Sequence, residues 1–165
     1  MSNTITADCA TTADVRAEDA GYRSACGRRN QHMDPFSGTW VANLAKSHRH
    51  HNHQFQSATL RFEVSGNALS LTQAGVNMSG KHESSTLTLD ADGEEHPVSP
   101  QAPGIVVISK WIGTHVLETI GKRGGDIIGR GTYEVSPDSR TLTATVSGID
   151  AKGAVFEQVI VFDRE

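Results

Sequence analysis

The stretch Phe36-Ser37-Gly38-Thr39-Trp40 stands ahead of a run of about ten short segments in which apolar and polar residues alternate. Alternation with period two marks strands with one buried face. No window after residue 33 carries a helical apolar stripe of three turns. The strand candidates are 38–45, 57–64, 67–74, 82–90, a short 95–98, 104–112, 114–121, 126–135, 140–148 and 154–163. Between them lie residues suited to turns: Ser65-Gly66-Asn67, Asn77-Met78-Ser79-Gly80, Asp92-Gly93, Gly124-Gly125-Asp126, Pro137-Asp138 and Asp150-Ala151-Lys152-Gly153. A Gly-x-Trp on the first of so many antiparallel strands predicts a small closed barrel. An interior of that size is either packed solid or encloses one small ligand.

A chain of 165 residues is one domain with room for a tail. Residues 1–33 are rich in Thr, Ala, Asp, Arg and Ser and lack an apolar stripe, so they read as a disordered or weakly ordered tail; residues 34–165 read as the barrel. The formal net charge of −4 and the scatter of Lys and Arg give no basic stripe for nucleic acid. Gly104 to Ile108, the longest apolar stretch, is too short to span a bilayer as a helix. Met1 to Asp8 has no signal-peptide pattern, which makes the cytoplasm the default compartment. Both cysteines, Cys9 and Cys26, fall in the tail and read as reduced thiols without a Cys-x-x-Cys pair.

The chain repeats itself. Leu69, Thr72, Gly75-Val76-Asn77 and Gly80 recur with identical spacing as Leu142, Thr145, Gly148-Ile149-Asp150 and Gly153, each behind a Glu-Val-Ser. Two equivalent strand-turn-strand-turn-strand units follow. In the first unit Leu60, Phe62, Val64, Leu69 and Leu71 point inward; the matching positions are Gly131, Tyr133, Val135, Leu142 and Ala144. The second set is smaller and more polar, which predicts a roomier side of the interior.

These residues resemble the calycin superfamily, the lipocalin-like and fatty-acid-binding barrels. The match rests on Phe36-x-Gly38-Thr39-Trp40, the strand count and the closing strand Gln158-Val159-Ile160-Val161-Phe162-Asp163-Arg164; it covers residues 36–165. Small bacterial lipocalin-like proteins of unassigned function are the nearest likeness, through Gly-Thr-Trp, Asn43-Leu44-Ala45-Lys46-Ser47 and Val135-Ser136-Pro137-Asp138. The resemblance implies an antiparallel lipocalin-like barrel of about 8–10 strands. It also implies that Trp40 packs across the barrel base, with Arg164 as its partner. Two features depart from fatty-acid-binding proteins. Residues 46–56 are too few for a two-helix lid, and the end, Phe162-Asp163-Arg164-Glu165, lacks an Arg-x-Tyr. Fatty-acid binding is therefore not carried over.

The clearest cluster of chemistry-bearing residues is His48-Arg49-His50-His51-Asn52-His53. On an extended chain His51 and His53 share a face, as do His48 and His50. A rigid metal site needs three or four ligands, and Arg49 would repel a cation, so the segment reads as a polar loop and no metal is expected. A haem would need one buried histidine, for which His115 is the candidate, but no cofactor is expected. Glu118, Arg130, Glu134 and Glu157 read as an outward ladder of charges. No Gly-x-Ser-x-Gly, P-loop or Gly-x-Gly-x-x-Gly is present.

The expected function is binding of a small, largely apolar molecule inside the barrel. A barrel enzyme of isomerase, cyclase or hydro-lyase type and a filled-core interaction module are the alternatives. The expected ligand-binding residues are Phe62, Trp111, His115, Gly131, Tyr133, Phe156 and Gln158. The expected partner is a small hydrophobic ligand, with no nucleic acid and no membrane span.

Overall fold

A computed structural model of the protein describes residues 34–150 and 152–165. The expected tail, with Cys9 and Cys26, lies outside the described residues. The rest forms ten antiparallel strands: β1 (Gly38–Ala42), β2 (Phe55–Ser65), β3 (Ala68–Asn77), β4 (His82–Asp90), β5 (Asp92–Pro97), β6 (Ile105–Ile112), β7 (Val116–Arg123), β8 (Asp126–Val135), β9 (Thr141–Ile149) and β10 (Val155–Arg164). There is no helix among the described residues.

The ladder runs β4-β3-β2-β1-β10-β9-β8-β7-β6-β5. It is an up-and-down meander in which the first strand pairs with the last. The strands β4 and β5 follow each other in the chain, separated by Ala91 alone, yet stand at the two ends of the ladder. No ladder hydrogen bonds join β4 to β5 or β6, so the barrel is nearly closed, with this one seam unpaired.

Every expected strand is present, and the differences have local causes. β1 stops at Ala42 because Asn43 begins a turn: its carbonyl accepts from Lys46 N at 3.2 Å and from Ser47 Oγ at 2.7 Å. Asp92-Gly93, expected as a turn, opens β5, and a register shift between Asp92 and Glu95 absorbs Gly93 at φ +85°. Gly124 and Gly125 make the β7–β8 hairpin, both at positive φ, as a tight turn between twisted strands requires.

One end of the barrel is packed solid. Phe36 and Trp40 are fully buried, and Phe62, Leu69, Leu71, Leu89, Leu117, Val135, Leu142 and Phe162 join them. The Trp40 indole donates to the Phe36 carbonyl at 2.8 Å. Trp40 pairs in register with Arg164, whose guanidinium carbon lies 4.5 Å from the indole centroid. The same guanidinium donates to the carbonyls of Pro35 and Ser37. Gly38 sits beneath it at φ +137°, where a Cβ would stand 3.4 Å from Arg164 Nη1. The Gly-x-Trp sequence thus has a mechanical basis. The glycine lets the chain turn beside the arginine, and the tryptophan two residues on packs its indole against the same guanidinium.

The internal repeat is structural. Asn77 and Asp150 occupy equivalent turns. Asn77 Oδ1 accepts from Ser79 N and Lys81 N, each at 3.0 Å; Asp150 Oδ1 accepts from Lys152 N and Ala154 N, each at 2.9 Å. Gly80 and Gly153 close these turns at φ +82° and +80°. Gly75 and Gly148 are both required by close approach rather than by φ. A Cβ would collide with Ser57 O at the first and stand 2.9 Å from Ile128 O at the second.

Candidate functional site

Toward the opposite end the inward positions no longer meet across the barrel, and they leave a cavity of about 590 Å³. On β9 the inward residues run Leu142, Ala144, Val146; the first belongs to the packed end and the next two line the cavity. Phe162, Ile160 and Gln158 make the same transition along β10, as do Leu60 and Ala58 along β2. β3 and β4 contribute polar groups to the wall: Gln73 and Asn77 on one, Glu83 and Ser85 on the other. Glu83, Ser84 and Ser85 are exposed and mark the mouth.

On the β8–β10 side, two further side chains add polar points to the wall. Burial raises the Tyr133 phenol above its ordinary pKa of 10.0, so at neutral pH its hydroxyl remains a donor. The Gln158 side-chain oxygen is buried and has no hydrogen-bond partner among the described residues. β9 lies between the strands that carry them: Tyr133 pairs with Ala144, and Gln158 with Val146 one inward position nearer the mouth. Two strand spacings and two residues of rise put their Cα atoms about 12 Å apart.

The β1–β2 connection folds over the mouth. An isolated bridge, His48 to Val159, ties it to β10, with hydrogen bonds of 2.7 and 2.8 Å. Arg49 Nη1 donates to the Phe55 carbonyl at 2.7 Å, with its guanidinium over the Phe55 ring. The connection is not extended. His53 N donates to the His50 carbonyl at 2.9 Å, and this turn gathers the rings that an extended chain would separate. His50 stacks on His51 at 4.2 Å, and His53 lies 4.0 Å from the Phe156 ring. His53 borders the cavity, and its Nε2 is buried without a partner. Packing among these rings lowers the pKa of His50 below the ordinary 6.5, through desolvation first and then repulsion from His51 and His53. No group of three or more His, Cys, Asp and Glu is arranged to hold a metal among the described residues.

The residues singled out from the sequence fall into three places. Tyr133 and Gln158 line the cavity. Phe156 packs against His53 and is not itself among the lining residues. Phe62 and Trp111 belong to the packed end, both against Phe36, at 5.6 and 5.1 Å; Phe62 also meets Tyr133 edge-on at 5.9 Å. His115 is in the β6–β7 turn at that same end, where Nδ1 bonds Thr114 Oγ1 at 2.8 Å. Gly131 is buried in β8 and does not line the cavity; its free side is covered by Tyr133 and Thr119. Glu118, Arg130, Glu134 and Glu157 are exposed. Gln73, Glu83, Ser85 and Val146 line the cavity and are not among the expected site residues; His53, expected in a polar loop, borders it as well. The strand positions follow from extending the inward parity of Leu69 and Leu71 to Gln73, of Leu89 to Ser85 and Glu83, and of Leu142 and Ala144 to Val146.

No known family profile matches this chain, and no curated protein matches it. Solved structures do. The chain is similar to the Schistosoma mansoni fatty acid binding protein in complex with arachidonic acid, with a TM-score of 0.54 at 16% identity over 81% of this chain and 98% of that one. It is similar to zebrafish ileal bile acid-binding protein complexed with cholic acid, with a TM-score of 0.53 at 14% identity over 79% of this chain and 99% of that one. The fold is a calycin-type barrel. At these identities the likeness concerns the fold alone. This calycin-type barrel has no helix over its mouth among the described residues; a loop with a histidine turn stands there instead. No helix among the described residues is long and apolar enough to cross a membrane.

Proposed function

We propose that this protein binds a small, largely apolar molecule in the barrel cavity. One observation carries the reading: a space of about 590 Å³ with an apolar floor of Leu60, Ala144, Ile160 and Phe162 and a few polar groups on its sides. That volume and that mixture are what a site for one small organic molecule needs. A barrel serving only as an interaction module would gain stability by filling the space, since unfilled volume forgoes dispersion contacts. The two similar barrels were solved with a fatty acid and a bile acid, which agrees with this use of the fold.

Two measurements test the proposal. Native mass spectrometry of the purified protein, followed by mass spectrometry of its organic extract, should reveal a small co-purifying molecule lost on extraction. The extracted protein should then bind the uncharged fluorophore N-phenyl-1-naphthylamine at one site per chain with blue-shifted emission. Failure to bind that probe, with no co-purifying molecule, would refute the proposal.

A further inference from the structure

The cavity wall carries information about the polarity of its occupant. Among the described residues that line it there is no lysine or arginine. The nearby Arg49 is committed to the Phe55 carbonyl and ring. Among the described residues the lining holds one carboxylate, Glu83, which accepts from Asn77 Nδ2 at 3.0 Å and stands at the mouth. Deeper in, the side-chain oxygen of Gln158 is buried with no partner. A buried acceptor left unpaired is costly, and the cost is relieved by a group that donates to it. A carboxylate has no proton to give at neutral pH. It would meet the Gln158 oxygen and the Glu83 charge with no lysine or arginine on the lining to offset its own desolvation, and the one histidine there, His53, borders the cavity from the loop at the mouth. A hydroxyl or primary amide can donate to Gln158 and carries no charge to desolvate. Tyr133, in the neighbouring inward layer, supplies a second uncharged group that can donate or accept.

Building on the binding reading above, we propose that the cavity selects an uncharged amphiphile, an alcohol or primary amide on an apolar body, over the carboxylate of the same body, with the Gln158 amide as the polar anchor.

The test is displacement of N-phenyl-1-naphthylamine from the full chain at pH 8 by decan-1-ol, decanamide and decanoate, which share one chain and differ in head group. The alcohol and the amide are expected to displace the probe at concentrations about tenfold lower than decanoate, the worth of one buried hydrogen bond. In Gln158→Leu, and in Gln158→Met as a second variant of similar length, displacement is scaled to the affinity of the probe measured in that variant, and the preference for decanol over decanoate should shrink to within about threefold. Circular dichroism and thermal melting check that each variant is folded. Displacement by decanoate as readily as by decanol, or an undiminished preference in both variants, would overturn the proposal while leaving the cavity a binding site. A parent protein that binds neither the probe nor any of the three compounds would instead overturn the binding reading itself, and the selectivity with it.

Discussion

The ring of Tyr133 covers Gly131, two residues earlier on the inward face of β8. A Cβ on Gly131 would stand 3.2 Å from the ring and 2.7 Å from the hydroxyl of Thr119, which itself donates to the Gly131 carbonyl at 3.3 Å. The glycine holds the tyrosine against the wall and keeps the cavity clear beside it. Gly131→Ala should therefore push the ring inward. The expected cost is about 1–3 kcal/mol of unfolding free energy, the range for overpacking a filled site. Urea unfolding measures it. An unchanged midpoint, with unchanged near-ultraviolet circular dichroism from Tyr133, would show that the ring does not depend on the glycine.

The base of the barrel should be sensitive to both members of its aromatic–cation stack. Trp40 is fully buried, so Trp40→Ala should cost about 3–5 kcal/mol. Arg164→Met retains much of the side-chain bulk but removes the charge over the indole and the hydrogen bonds to Pro35 and Ser37, and should cost about 1–2 kcal/mol. In a Trp111→Phe background the emission of Trp40 should be that of an indole shielded from water. Emission at the position of free tryptophan in water would contradict the packing described here.

The architecture was readable from the sequence because its signals are local. Strand parity, turn residues and the Leu-Thr-Gly-Asn/Asp-Gly repeat each reflect contacts between neighbours in the chain or across one hairpin. Gly75 and Gly148 repeat because each lies beneath a backbone carbonyl of the adjacent strand. The cavity was less readable for two reasons. Missing side-chain volume in a sequence does not say which neighbour takes it up, and at Gly131 the ring of Tyr133 does. Inward residues near the mouth are polar, so Gln73 and Glu83 look like solvent-facing positions unless parity is carried past the last leucine. The histidine turn escaped because an extended reading of 48–53 separates His50 from His53, whereas the hydrogen bond between their backbones brings their rings to 5.6 Å.

That turn and the β5 edge should titrate in opposite directions. Asp92 holds His96 above the ordinary 6.5 through a 2.9 Å hydrogen bond and its charge, opposed by desolvation. The backbone N–H of Glu94, with His96, lowers Asp92 below its ordinary 3.8. His50, crowded by its neighbours, lies below 6.5. The His96 contribution to stability is present below pH 6.5 and fades as pH rises through its raised pKa; the His50 contribution is present above 6.5 and is lost on acidification through its lowered one. Imidazole NMR titration should place His96 above His50, and Asp92→Asn should bring His96 down. Coincident titration of the two rings would contradict both environments.

Filling the cavity should abolish binding without unfolding the barrel. Val146 is the site to fill. It is inward and half-buried on β9, lines the cavity, and pairs with Gln158 and Gly131 across its two ladders. It belongs to the open end rather than to the packed base, so a larger side chain there can enter free space instead of displacing Leu142 or Phe162. Val146→Trp should take up much of the volume beside Gln158 and weaken N-phenyl-1-naphthylamine binding by at least about tenfold, which corresponds to roughly 1.4 kcal/mol of lost binding energy. The melting temperature should stay near that of the parent, because burying the added indole offsets the rearrangement it causes. Phe62, buried among the base aromatics, supplies the contrast: Phe62→Ala should lower the melting temperature sharply while leaving Val146 and the upper wall in place. A Val146→Trp protein that binds the probe as the parent does would place binding outside this cavity.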